Sequence, residues 1–201
     1  MTAIPAMRRI SHTLFLTGCA IGLHFADGLQ PWLALQFQEL SVSNVHRVLT
    51  CHWLHWSADH LIWDLVVFAL LGAICEWRSL RCYLWTVLLS AITIPLSVMY
   101  WIPQVGTYRG LSGIDTALFG LLVSSLLVRR IRERDRSGAL LFSVLLIAMS
   151  GKIAMEMISQ ANIFVSDSSF VPVPLAHLVG AIIGMATGVG EWLVSFLRVQ
   201  E

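Results

Sequence analysis

Residues 110–136 read GLSGIDTALFGLLVSSLLVRRIRERDR, and this stretch indicates how the chain is built. Ser112, close to Gly110 and Gly113, precedes an apolar run that ends near residue 128 and is followed by five arginines. An apolar run that approaches about 20 residues is long enough to cross a bilayer as a helix. Lipid offers no partner to backbone N–H and C=O groups, so we expect this run to be helical.

The composition extends this interpretation to the whole chain. Of the 201 residues, 57% are hydrophobic and only 12% are charged, whereas about 25% charged residues are usual in a soluble domain. Much of the surface must therefore face the lipid bilayer. No basic stretch contains interleaved aromatic residues, which argues against nucleic acid as a partner. The length predicts a single transmembrane domain over residues 1–201.

Six apolar runs are candidate membrane spans, and the second is short enough that we expect its helix to begin earlier, near Ser57. They cover residues 10–25, 60–73, 80–99, 113–128, 139–157 and 174–196. The sequence therefore predicts an all-α, polytopic membrane protein, built as a bundle of six transmembrane helices.

The orientation of this bundle follows from its basic residues. Ten of the 13 Lys and Arg residues fall before the first span or after the second, fourth and sixth spans. Only three fall elsewhere in the chain. Cytoplasmic segments carry such an excess, so we expect both termini to be cytoplasmic. Spans two, four and six then begin on the outer side. The outer segment 26–56 mixes Trp and Leu with few charges, which fits either a segment in the membrane interface or an ordinary packed loop.

Four polar residues lie at corresponding depths near the predicted outer ends of three spans. His60 and Asp64 open the second span, Ser112 opens the fourth and His177 opens the sixth. Ionisable residues inside a membrane are costly and are functional candidates by default. Three distant segments thus bring a hydroxyl, two imidazoles and a carboxyl to one layer.

This set of groups suits nucleophilic catalysis. A helix start offers free N–H groups and the positive end of the helix dipole, which can stabilise an oxyanion beside Ser112. A serine needs a base, and histidine is the usual one, which makes His177 the candidate. Small residues on the two spans would let them pack closely enough to bring Ser112 and His177 together. These small residues are Gly113, Ala117 and Gly120 on one span and Gly180, Gly184 and Gly188 on the other.

Several motifs together resemble those of the rhomboid intramembrane proteases, over about residues 47–188. Gly110-Leu111-Ser112-Gly113 is similar to the catalytic serine motif of that family, and Ala176-His177 with Gly180 and Gly184 is similar to its A-H-x-x-G-x-x-x-G motif. Further similarities lie at two histidines of the second span and the stretch before it, at an acidic–basic pair after that span, and at an arginine of the first outer loop. These residues are His55, His60, Glu76, Arg78 and Arg47.

The resemblance implies a serine endopeptidase with a Ser112–His177 dyad in a water-filled cavity open to the outside. His177 would be the general base, His60 would stabilise the oxyanion, and Gly110 and Gly113 would belong to the substrate and oxyanion motif. The implied substrates are membrane-anchored proteins, with no metal ion and no cofactor. The implied location is a bacterial cell membrane. The short loops also resemble the rhombosortase branch, which trims C-terminal anchors from exported proteins.

Two positions depart from the family pattern. Asp64 stands where the family usually has an asparagine that donates to the oxyanion. A protonated Asp64 could replace that donor; alternatively, an ionised Asp64 could accept from His60 one turn back and orient its ring; in a third interpretation it only faces water. Thr116 stands where an aromatic residue often packs on the catalytic histidine, and Asp115 is a candidate for orienting His177 instead.

Two other functions fit parts of the sequence. The first is a binding protein of the same fold that has lost catalysis, which Asp64 favours. The second is a metal protein that uses His52, His55, His60 and Asp64, or a haem protein in which His60 faces His177. Either one leaves Ser112 and its glycines unexplained.

Lys152 and Glu156 are spaced i, i+4, which predicts an ion pair with a structural role.

Overall fold

The computed structural model describes residues 10–159 and 173–197, with side chains up to residue 191. Six long helices dominate this part of the chain. The first, α1, spans Ser11–His24, and the short helices α2, Gln30–Leu33, and α3, Arg47–Thr50, follow it. The other long helices are α4, Ala58–Arg78, α5, Leu80–Trp101, α6, Ser112–Arg132, α7, Arg136–Ser159, and α8, Pro174–Leu197.

These helices make the chain an all-α polytopic membrane protein. Among the described residues, α4, α5, α7 and the stretch 174–191 of α8 are long and apolar enough to cross a bilayer. Large apolar side chains such as Phe15, Ile62, Leu70 and Ile147 are more than half exposed. Such exposure would be costly in water and suits a surface that faces lipid.

The second predicted span is longer than its apolar run, at both ends. Ser57 caps α4, since its side chain accepts a hydrogen bond from the backbone N–H of His60 at 3.3 Å. A serine at this position satisfies one of the N–H groups that a helix start leaves unpaired. The helix therefore begins directly after Ser57, as expected, and continues to Arg78.

Helix α6 lies at the centre of the bundle and packs closely on α8. Added side chains at Gly180 and Gly184 would collide with the backbone carbonyls of Gly113 and Ala117. At Gly188 a side chain would meet Ser124 Oγ and the carbonyl of Leu121. The predicted small-residue faces are thus the contact between these two helices. Only small residues let two helix backbones approach this closely.

A minimal antiparallel ladder fixes the segment that leads into α6. Strand β1, Leu35–Gln36, pairs with β2, Thr107–Tyr108, so that Leu35 lies opposite Tyr108. Short 3₁₀ helices complete this end of the bundle, at Phe37–Glu39, Val42–Asn44, Cys51–Trp53 and Pro103–Val105. The first loop is therefore packed against the chain at Ala34 and Leu35, which are fully buried, while Trp32 remains 69% exposed. The interpretation as a packed loop is confirmed for this part of the segment, and a position in the membrane interface stays a prediction.

The opposite end of the bundle joins α1 to α4. The carboxylate of Glu76 accepts hydrogen bonds from the backbone N–H groups of His12 and Thr13 at 3.0 and 2.8 Å. Its oxygens also contact the ring Nδ1 of His12 and the hydroxyl of Thr13, both at 2.7 Å. An acidic group at the start of a helix satisfies free N–H groups and complements the dipole. Glu76 therefore holds the start of α1.

Candidate active site

A cavity of about 970 Å³ opens among α4, α6, α7 and α8. Its wall includes His60, Asp64, Ser112 and His177, the four residues that the sequence places in one layer. The remaining wall is mostly apolar and comes from α4 and α7, with Trp63, Val67, Leu71, Leu145 and Ala148 among the lining residues. The fold therefore brings the candidate nucleophile, both candidate histidines and the carboxyl to one cavity.

Ser112 is the first residue of α6, and His177 lies in the first turn of α8. Their neighbours are in contact, because a Cβ added at Gly113 would lie 3.2 Å from the carbonyl oxygen of Ala176. Thr116 also lines the cavity, and its hydroxyl donates to the carbonyl of Ser112 at 2.9 Å. The close α6–α8 packing thus places the two helix starts side by side at the cavity.

Gly110 occupies a position that only glycine fits. Its φ of +113° lies in a region that L side chains rarely adopt. A Cβ there would also lie 2.9 Å from Cε1 and 3.0 Å from Nε2 of His60. Gly110 therefore lets the chain turn into α6 directly against the ring of His60.

Asp64 binds the start of α6. Its Oδ2 accepts a hydrogen bond from the backbone N–H of Leu111 at 2.8 Å, and the residue is 5% exposed. The same oxygen lies 3.2 Å from Nε2 of His55 and 3.3 Å from Nε2 of His60. The hydrogen bond from Leu111 shows that this oxygen acts as an acceptor, whereas Nε2 of His55 is near it without hydrogen-bond geometry. This geometry supports the interpretation that Asp64 orients His60.

His52 supports the same region from outside the cavity. It is fully buried, with Nε2 3.0 Å from the carbonyl oxygen of Ala91 and Nδ1 3.3 Å from that of Gly110. Burial lowers the pKa of His52 from 6.5 to about 4, because a charged ring is costly away from water. His52 is therefore neutral at physiological pH, so its single N–H donates to one of the two carbonyls while the other nitrogen is only in contact with the second. The ring thus lies between the loop before Ser112 and α5. Its ring nitrogens are directed at backbone carbonyls rather than towards His55 and His60.

A second carboxylate reaches the site from α7. Glu156 is 1% exposed, and its Oε2 lies 2.7 Å from Nδ1 of His177. Its other oxygen, Oε1, accepts from Nζ of Lys152 at 2.7 Å. The predicted Lys152–Glu156 pair is thus confirmed, but it is half of a larger arrangement that includes His177.

Asp115 is not the carboxylate in contact with His177. The carboxylate at Nδ1 of His177 is that of Glu156, and Asp115 Oδ1 has no hydrogen-bond partner within the part of the chain that the structure describes. Asp115 is buried, lines the cavity and lies on the same helix as Ser112. Asp115 lies three positions after Ser112, about one turn further along the same side of α6.

Arg109 is a cation in the cavity wall, next to Trp56. The guanidinium of Arg109 lies 4.5 Å from the ring centroid of Trp56, and its Nη1 donates to Gln30 Oε1 at 3.2 Å. Burial lowers the pKa of Arg109, and contact with an aromatic face partly compensates a desolvated cation. Within residues 10–159 and 173–197, no group of three or more His, Cys, Asp or Glu side chains is arranged to hold a metal ion.

The Rhomboid domain profile matches residues 42–193, about three quarters of the chain. The chain belongs to the rhomboid family. No individual curated protein shows significant sequence similarity to it. The matched region contains the cavity, both ends of the α6–α8 contact and all six residues predicted for the site, so the family assignment and the geometry concern the same part of the molecule.

Membership in the rhomboid family makes the chain an integral membrane protein, and members of this family are usually intramembrane serine proteases.

The contact between Glu156 and His177 was not predicted from the sequence. One signal was available in the sequence: Glu156 lies at the end of the predicted span 139–157, and His177 lies near the start of the predicted span 174–196. Connected antiparallel helices place such positions at the same depth, so an acidic residue there was a candidate partner.

Proposed function

We propose that this rhomboid protein is an intramembrane serine endopeptidase that uses Ser112 as nucleophile and His177 as general base. The observation that carries the proposal is the shared cavity, which Ser112 and His177 both line from the adjacent starts of α6 and α8. The carboxylate of Glu156 can only accept a hydrogen bond, so Nδ1 of His177 carries the proton and Nε2 is available as the base.

In this mechanism Ser112 Oγ attacks the scissile carbonyl and gives its proton to Nε2 of His177. The protonated ring then gives the proton to the leaving amine, and a water molecule hydrolyses the acyl-enzyme by the same route. The oxyanion is stabilised by the backbone N–H groups at the start of α6 and by Nε2–H of His60, which Asp64 orients from 3.3 Å and which the oxyanion shares. Asp64 contributes as an acceptor that holds Leu111 and His60, not as an oxyanion donor.

The substrate in this proposal is a membrane-anchored protein whose apolar segment enters between α4 and α7. These helices supply the apolar wall of the cavity, while the polar groups lie at its α6–α8 side. A protease must bind its substrate extended, so the segment must unwind locally where its peptide bond meets Ser112. With the orientation that the basic residues predict, cleavage takes place near the outer face of the membrane.

The main alternative is a rhomboid-family binding protein without catalysis. Asp64 favours it, because a carboxylate in the oxyanion region repels a developing negative charge unless other groups neutralise it. The contacts of Asp64 with Leu111, His55 and His60 supply such groups.

The test is cleavage of a single-span reporter protein in proteoliposomes. The parent protein is expected to cleave the reporter, and Ser112→Ala is expected to reduce cleavage to background. Ser125→Ala is the matched control, since Ser125 lies on the same helix, binds the carbonyl of Leu122 at 3.0 Å and is remote from the cavity. Equal cleavage by Ser112→Ala and Ser125→Ala would refute the proposal.

A further inference from the structure

Glu156 is a buried carboxylate, and each of its two oxygens has a side-chain partner. One oxygen binds Nδ1 of His177 and the other binds Nζ of Lys152, each at 2.7 Å. The side chain of Glu156 is 1% exposed, whereas that of Lys152 is 30% exposed. An ionised group at this depth is costly unless it is paired on every side. Lys152 compensates the charge of Glu156, which remains available as a strong acceptor for His177.

The other buried residues of α7 are apolar. In the described chain they are Met149 and Ile153, and Glu156 continues the same narrow face of the helix. Apolar residues at all three positions would pack α7 against α8 at lower cost. A carboxylate at the position nearest His177 is therefore unexplained by packing, and within the described residues its partner on another helix is the imidazole.

We propose that Glu156 is a positioning residue that completes a Ser112–His177–Glu156 relay, and that Lys152 fixes the orientation of Glu156. The inference rests on the proposed function, because Glu156 acts only through His177. Glu156 holds the His177 ring with its proton on Nδ1, so that Nε2 faces the nucleophile. It also stabilises the imidazolium that forms when Ser112 gives up its proton. No proton moves to Glu156.

Glu156→Gln gives a sharp test, because Lys152 decides which way the new amide points. The Lys152 ammonium can only donate, so it binds the amide oxygen and leaves the NH₂ group facing Nδ1 of His177. Nδ1 must then accept, and the proton moves to Nε2, where it blocks the base. A wrong tautomer of this kind costs on the order of 10⁴-fold in kcat in a serine protease. We expect a loss of at least about 100-fold in kcat with little change in KM.

A second substitution should partly reverse this effect. In Glu156→Gln with Lys152→Met, nothing fixes the amide oxygen, so the amide can rotate and accept from Nδ1–H of His177. We expect the double variant to recover at least about tenfold of the lost kcat, as does Glu156→Asp, which restores the carboxylate. A purely structural Glu156 predicts the opposite, since removing Lys152 as well would weaken α7 further.

The tautomer itself can be read without any protease assay. In protein with ¹⁵N-labelled histidine, the His177 signals are identified by their loss in His177→Gln. We expect an Nδ1–H ring in the parent and in Glu156→Asp, and an Nε2–H ring in Glu156→Gln. Met149→Ala is the control for loosened α7 packing, and it should lower the thermal midpoint without changing the tautomer.

The two proposals can fail separately. If the parent cleaves nothing but the tautomer changes as expected, the arrangement of Glu156 stands and the protease function falls. If Glu156→Gln keeps the parent tautomer and a kcat within about twofold of the parent, the relay is wrong whatever the protein cleaves.

Discussion

Two histidine–carboxylate pairs face the cavity, and they are built in different ways. His60 and Asp64 lie one turn apart on α4, and Asp64 divides its Oδ2 among His60, His55 and the backbone of Leu111. His177 and Glu156 lie on different helices, and Glu156 gives one oxygen to His177 alone. The first arrangement fixes a loop and a ring together, whereas the second fixes a ring and its tautomer. This difference suits an oxyanion region on one side and a general base on the other.

Replacing each histidine in turn gives the largest contrast between the pairs. His177→Ala removes the base and should reduce cleavage to background, a loss of up to about 10⁶-fold for a residue of this type. His60→Ala removes an oxyanion donor and should cost about 10²–10³-fold. Ser112→Ala with His177→Ala should be no worse than either alone, because the two act as a unit. Turnover of the reporter protein measures the three single variants and the double variant. Equal losses for His177→Ala and His60→Ala would contradict the different roles given to the two histidines.

Gly110 tests the packing of the α4 pair. Gly110→Ala should lower kcat by about 100-fold, because the new Cβ displaces His60 and a small misplacement of a catalytic group is costly. Gly106→Ala is the matched control, since Gly106 also has a positive φ, of +73°, but has nothing within 4 Å of an added Cβ. Both variants strain the backbone, and only the first meets His60. Similar activity in the two proteins would mean that the position of His60 has little effect.

Asp64 should be less sensitive than Glu156 to loss of charge. Asp64→Asn keeps an oxygen that can accept from Leu111, so we expect a loss of about tenfold in kcat/KM, or about 1.4 kcal/mol. Asp64→Leu leaves the Leu111 N–H unpaired and should in addition lower the thermal midpoint. An asparagine variant that is as active as the parent, or more active, would show instead that Asp64 replaces an amide donor.

The smallest effect concerns stability in acid. The ring of His52 is neutral in the folded protein, with a pKa lowered by burial from 6.5 to about 4, whereas the unfolded chain binds a proton at the ordinary value. The stabilising contribution of His52 is therefore complete above about pH 6.5 and is lost as the pH falls through about 4. His52→Gln should show a smaller drop in thermal midpoint over this range than the parent. Burial also lowers the pKa of His55, which keeps part of the slope in both proteins. An identical pH dependence of the thermal midpoint in the parent and in His52→Gln would contradict the lowered pKa of His52 in the folded protein.

The sequence predicted the parts of this molecule that depend on local chemistry. The apolar runs correspond to long helices, Ser57 and Ser112 stand where the helices begin, and the glycines on α8 form the predicted contact with α6. Small-residue spacing fixes a helix face regardless of the rest of the fold. The spacing of Lys152 and Glu156 likewise predicted their ion pair.

The features that the sequence did not predict depend on tertiary structure. The pairing of Leu35–Gln36 with Thr107–Tyr108 involves two residues on each strand, too few for a recognisable alternating pattern. The hydrogen bond between Glu156 and His177 joins two helices, and in the sequence the i, i+4 spacing of Lys152 already gave the acidic group a partner. A carboxylate has two oxygens, so one local partner leaves room for a second, distant one.

The central claim is that Ser112 is a nucleophile activated by His177. A fluorophosphonate probe reacts with an activated serine, and mass spectrometry of the labelled protein locates the adduct. The account predicts one adduct, on Ser112, in the parent and in Ser125→Ala, and none in Ser112→Ala or His177→Ala. An unlabelled parent, or equal labelling in Ser112→Ala, would contradict it.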